Sequence, residues 1–195
     1  ELIIIKNRTD SSTNWPVYSE AAGNTKYQYL STTATATTFN MWQDTSPDED
    51  VFSVSSNNEA SGSANDEMIA YCFRSVPGVC KVGKYQVNNV TDDGPYVSLG
   101  FKPRWIMFKG LDIASQWTIY DSVRQPFNVG DHIFSYVNLN SADQAFAAND
   151  IDMLSDGFKI RADTNNEPNN GSGEYLYLAM ADIGGNGTLP PIYGR

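Results

Sequence analysis

The chain has 195 residues, of which 41% are apolar and 18% charged, with 13 basic and 23 acidic side chains giving a formal net charge of −10. This balance excludes the basic patches that nucleic acids and anionic membranes require, and no stretch approaches the roughly 20 apolar residues of a membrane-spanning helix. Few charges beside many β-formers and turn-formers point to an all-β protein of extracellular or virion type.

In chain order, Glu1–Lys6 is an apolar β-prone run, followed by a polar loop and Asn14-Trp15-Pro16-Val17-Tyr18-Ser19. This pattern predicts a hairpin. The chain opens directly into that strand with no visible signal peptide, so it reads as a fragment or a processed product. Further strands are predicted at 26–31, 51–54 and 67–73, with the Thr/Ala run 32–38 an edge strand or a loop. Ser46–Asp50 is an acidic turn, and Ser55–Asp66 is a Ser/Asn/Gly loop. Val76-Pro77-Gly78 then connects to strands at 83–87 and 96–101. Cys72 and Cys80 flank this connector, as a local disulfide or as two half-buried thiols.

The second half repeats the order of the first. Pro103–Lys109 and Gln116–Asp121 form the same hairpin pattern, with Lys109 matching Lys6, Trp117 matching Trp15 and Tyr120 matching Tyr18. Ile133–Val137 stands where Tyr27–Ser31 stood, Ile151–Ile160 matches Trp42–Val54, and Tyr175–Ala181 matches Met68–Arg74. The loop 163–173 answers the loop 55–66. Only 141–149 offers helix, one or two turns at most. The expected fold is all-β: two tandem β-sandwich modules of jelly-roll or lectin-like type, from an internal duplication. The boundaries are 1–78, lacking two leading strands, and 79–195. The missing strands leave a bare sheet edge in the first module, to be covered by Gly184–Tyr193 or by a neighbouring subunit.

Gly100-Phe101-Lys102-Pro103-Arg104-Trp105, Lys109, Trp117–Arg124, Leu154–Lys159 and Tyr175–Ala181 together resemble a repeated domain of structural proteins of marine tailed bacteriophages, cyanophages among them. That domain often accompanies concanavalin A-like lectin domains and looks like a relative of them. The resemblance implies a virion or extracellular location and other virion proteins as partners. It carries over no catalytic residues.

Candidate chemistry is sparse. His132 is the only histidine, follows Gly130-Asp131 and reads as a surface or edge residue; no Gly-x-Ser-x-Gly elbow surrounds any serine. Asp150-Ile151-Asp152 is the one loose pair of acids at strand spacing. The expectation is a protein that is not an enzyme. No cofactor is called for; calcium is the one candidate, at Asp92-Asp93 or Asp48-Glu49-Asp50. Trp15, Trp42, Trp105 and Trp117 offer sugar platforms, although the matched positions of Trp15 and Trp117 favour core packing. The two polar loops are the preferred binding site: Asn57, Asn58, Glu59 and Asp66, or Asn165, Asn166, Glu167 and Asn170, with a host-surface glycan as ligand. Sites this shallow need several copies, so a homo-oligomer is expected, with a trimer as the guess. The alternatives are a purely structural decoration or spacer domain and a polysaccharide-degrading enzyme.

Overall fold

The computed structural model describes residues 1–124, 128, 132–146, 150–164 and 167–182. Fourteen strands and one short helix follow in order among them: β1 (Leu2–Asn7), β2 (Pro16–Ser19), β3 (Lys26–Tyr29), β4 (Thr37–Thr38), α1 (Asn58–Ser61), β5 (Met68–Phe73), β6 (Cys80–Gln86), β7 (Tyr96–Ser98), β8 (Pro103–Gly110), β9 (Thr118–Asp121), β10 (His132–Tyr136), β11 (Gln144–Phe146), β12 (Ile151–Leu154), β13 (Gly157–Ile160) and β14 (Glu174–Ala181). The protein is all-β, with antiparallel sheets ordered β4-β3-β2-β1-β5, β11-β10-β9-β8-β14-β6 and β12-β13-β7.

The largest sheet lies in the middle. Tyr85, Ile106, Phe108, Tyr120, Phe134, Tyr175 and Tyr177 leave one of its faces and meet Ile151, Phe158 and Ile160 of the smallest sheet. Val82, Met107, Leu176 and Leu178 leave the other face and meet Leu2, Ile4 and Val17 of the first sheet. Ile3, Ile5 and Tyr18 occupy the outer face of the first sheet, under a cover formed by Met41, Trp42, Phe52, Val54 and Ala60. Each contact follows from strand alternation, because residues two apart share a face. On β6, Gly83 is required by close approach: a Cβ there would lie 2.5 Å from the Tyr177 hydroxyl.

The first and second sheets share one strand order and one register. Lys6 lies opposite Ile69, and Lys109 opposite Leu176. Ile3 pairs with Tyr18, and Ile106 with Tyr120. Pro16 pairs with Tyr29, and Thr118 with Tyr136. This register sets Tyr27 against Phe134 rather than Ile133, one residue from the alignment read off the sequence. The matched faces of the two sheets, Leu2/Ile4/Val17 and Met107/Ile119, pack against each other.

Several local expectations differ from the structure. Val51–Val54 forms no strand; it crosses the outer face of the first sheet, where Phe52 and Val54 pack. Residues 144–146 are strand rather than helix, drawn into the ladder beside β10, and 147–149 lie outside the described residues. The loop 55–66 contains a single helical turn, capped by the Asn57 side chain. Both cysteines are free, Cys72 exposed and Cys80 half-buried. Among the described residues the outer edge of β5 carries no strand; the expected cover, Gly184–Tyr193, lies outside them.

Because the middle core mixes residues from both halves, the first half exposes Leu2, Ile4 and Val17 when it stands alone. A fragment of residues 1–78 is expected to aggregate or remain unfolded, whereas the full chain is monodisperse. Circular dichroism and size-exclusion chromatography of the two check this.

Candidate functional site

The two polar loops are internal clasps. Asn57 caps α1 by accepting the Glu59 N–H at 2.8 Å. The cap aims the Glu59 carboxylate at the start of the first hairpin, where it accepts the Asn14 side-chain amide at 2.9 Å, the Asn14 backbone N–H at 3.4 Å and the Tyr29 hydroxyl. Burial, with the Glu59 contact adding, pushes the Tyr29 hydroxyl far above its ordinary value. Asn58 is exposed on α1. Asp66 accepts the Asn7 amide and the Ser63 N–H, each at 2.8 Å.

Glu167 occupies the corresponding place in the second half. Its two oxygens accept the Gln116 backbone N–H at 2.9 and 3.1 Å and the Thr118 hydroxyl at 3.1 Å. Gln116 precedes Trp117 as Asn14 precedes Trp15. Burial raises the Glu167 carboxyl, opposed by these donors and by Lys109. Asn170 is half-buried, and Asn165 and Asn166 lie outside the described residues. Glu59 and Glu167 therefore do not converge on a ligand surface. Each satisfies a backbone donor that the hairpin entry leaves free.

The structure assembles a different concavity. Trp15, Leu30, Ser31, Val137, Asn138, Leu139 and Asn140 line an open groove of about 430 Å³. It lies where the chain leaving β3 meets the chain leaving β10. Leu30 N–H donates to the Trp15 carbonyl at 2.9 Å, and Val137 N–H to the Trp117 carbonyl at 2.8 Å. Ser31 donates to the Asn14 side chain at 2.8 Å, and Asn138 to the Gln116 side chain at 2.5 Å.

The matched junction on the other side is sealed. There the Trp117 indole N–H donates to the Tyr29 carbonyl at 2.9 Å. Lys109 donates to the Thr33 and Ser115 carbonyls at 3.0 and 2.9 Å. Trp117 is 1% exposed, and burial lowers Lys109 to about 8. Thr33 lies four residues beyond Tyr29, which ends β3, and Asn140 four residues beyond Tyr136, which ends β10. At the groove Lys6 donates to the Asp10 and Thr13 carbonyls and sits 5.4 Å from the Trp15 ring. The side chain of Trp15 is half-buried, so its role differs from that of Trp117. Sequence reasoning weighed Trp15 but missed its companions; the alternation Val137-Asn138-Leu139-Asn140 was the available signal.

His132 is not a surface residue. It is 2% exposed, neither ring nitrogen has a hydrogen-bond partner among the described residues, and burial pushes it below its ordinary value despite Asp152 nearby. Asp150 accepts the Tyr120 hydroxyl at 3.2 Å and is raised by burial to about 6. Asp152 pairs with Arg161 at 2.6 Å. Two of the calcium candidates have partners within the chain: Asp93 pairs with Lys159, and Asp48 accepts the Asp50 and Val51 N–H groups within its turn. Among the described residues no three His, Cys, Asp or Glu side chains are grouped to hold a metal ion.

Two outcomes follow. Glu167→Ala strands the Gln116 N–H and should cost about 1–3 kcal/mol in urea denaturation. Asp150 holds its proton more tightly folded than unfolded, so its stabilisation is full below the unfolded value of 3.8 and is lost as pH rises through about 6. His132 acts oppositely, losing stability as pH falls below 6.5. Asp150→Asn, which keeps an acceptor for Tyr120, should therefore raise stability at pH 8 by on the order of 1–3 kcal/mol and change it little at pH 4.

No curated protein and no solved structure matches the chain. Residues 1–183, nearly the whole chain, match the profile of a domain of unknown function, DUF7483, and the chain belongs to that family.

Proposed function

We propose that this domain is a non-catalytic binding module of a bacteriophage virion, presented on a tail fibre or similar appendage, and that it takes a sugar ring of a host-surface glycan in the groove beside Trp15. The observation that carries the reading is the contrast between two matched tryptophans, one sealed and one bordering a cavity. A half-exposed indole supplies a flat apolar platform, and Ser31, Asn138 and Asn140 surround it with short hydroxyl and amide groups suited to sugar hydroxyls. The acidic net charge favours neutral glycans. A single groove of this size binds weakly, so attachment works through several copies in a homo-oligomer, with a trimer as the simplest case.

The shared strand order and register support reading the two halves as products of an internal duplication, with the lectin-like sandwich as ancestral form. On this reading the groove and the sealed junction are two versions of one site. The second reading, a spacer domain of the particle, is favoured by one observation: the carboxylates Glu59 and Glu167 face inward.

A glycan array, followed by titration of the best neutral oligosaccharide, tests the first reading. Trp15→Ala should weaken binding at least tenfold while the melting temperature stays within a few degrees. Glu59→Gln should leave affinity unchanged. Absence of binding by the folded wild-type oligomer would favour the spacer.

A further inference from the structure

The outer edge of β5 is unlike the other long sheet edge. β5 has six residues, Met-Ile-Ala-Tyr-Cys-Phe, without charge, proline or glycine. Ala70, Tyr71 and Cys72 are exposed, Tyr71 at 44%. β6, the long edge strand of the central sheet, carries Lys81 and Lys84, the charges that commonly blunt such edges. The remaining edge strands, β4, β11, β12 and β7, have two to four residues. An uncharged edge of this length is a template for another strand.

The register identifies what fits. β5 lies on β1 as β14 lies on β8, and β14 carries β6 on its far edge. Ile69 corresponds to Leu176, so Ala70 corresponds to Tyr177 and Cys72 to Ala179. Lys81 of β6 lies opposite Ala179. The corresponding residue of an incoming strand would lie opposite Cys72. There a groove of about 360 Å³ is lined by Glu1, Asp48, Glu49 and Asp50, with Arg74 the one base. We propose that the β5 edge accepts an extended segment of another polypeptide, antiparallel, apolar in character and carrying a lysine or arginine opposite Cys72. This surface is separate from the groove beside Trp15.

Among the described residues no strand pairs with the outward backbone groups of β5. The Glu67 carbonyl accepts from Arg8 N–H of the β1 side. By strand alternation, residues 67, 69, 71 and 73 face β1, and Met68, Ala70 and Cys72 turn their amides outward. Ala70→Pro therefore removes an outward donor and leaves the β1 ladder intact. Ala70→Lys places a blocking charge on the edge while keeping every backbone bond.

The test uses the full chain and a fluorescent peptide of residues 79–87 carrying Cys80→Ser, which has the chemistry of β6. Saturable binding, weakened at least tenfold by Ala70→Pro and by Ala70→Lys and reduced by Asp48→Asn with Asp50→Asn, supports the proposal. Where Ala70→Pro shifts the melting temperature strongly, Ala70→Lys alone decides. No saturable binding, equal binding by Ala70→Lys, or a dimer of the chain paired through β5 would overturn it.

Discussion

The structure depends on the strand pair β8–β14 being buried on both faces. Ile106, Met107 and Phe108 are consecutive and all at most 5% exposed; Tyr175 to Ala179 are five consecutive residues at most 3% exposed. A strand with one wet face alternates, whereas one covered on both faces reads as a continuous apolar run. Because successive side chains point to opposite cores, β8 and β14 tie the first sheet to the third. Fully burying one such side chain contributes about 1.5–3 kcal/mol, and these two strands supply several to each core. Neither half of the chain can therefore be completed without the other.

Polar groups fix how the first and central sheets meet. Lys109 has no exposed surface, and its ammonium is held by carbonyls from both halves, Thr33 and Ser115. Gln28 donates to the Gly110 carbonyl at 2.8 Å, and Ala36 N–H donates to the Leu111 carbonyl at 2.7 Å. These bonds draw the chain after β3 across the seam and close it around Trp117. The chain after β10 is instead held by its own half, through Asn138 on Gln116 and Trp117. One seam closes and its counterpart stays open as the groove beside Trp15.

Composition alone does not say what the glutamates of the two Asn-Asn-Glu loops meet. Short polar residues between strands suit a ligand, water or the protein's own backbone equally well. Here Glu59 and Glu167 face the N–H groups at the hairpin entries. Leaving those donors buried and unpaired would cost more than the exposed carboxylates could gain from water. Nothing within either loop announces this, because the partner residues, Asn14 and Gln116, lie 45 and 51 positions away.

The sequence by itself determined the all-β class, most strand positions and the repeated order of Lys, Trp and Tyr in the hairpins. These are local properties: alternation, turn residues and β-branched or aromatic runs act over a few residues. It did not determine that Val51–Val54 stays out of a ladder, that His132 is buried, or that Trp15 and Trp117 differ. Each of those depends on which surface arrives from elsewhere in the chain. Phe52 and Val54 cover the first sheet without pairing, His132 packs against the Tyr120 ring, and Trp117 is sealed by a carbonyl 88 positions away while Trp15 is not. Local pattern sets what a residue can do; the packing of three sheets decided what it meets.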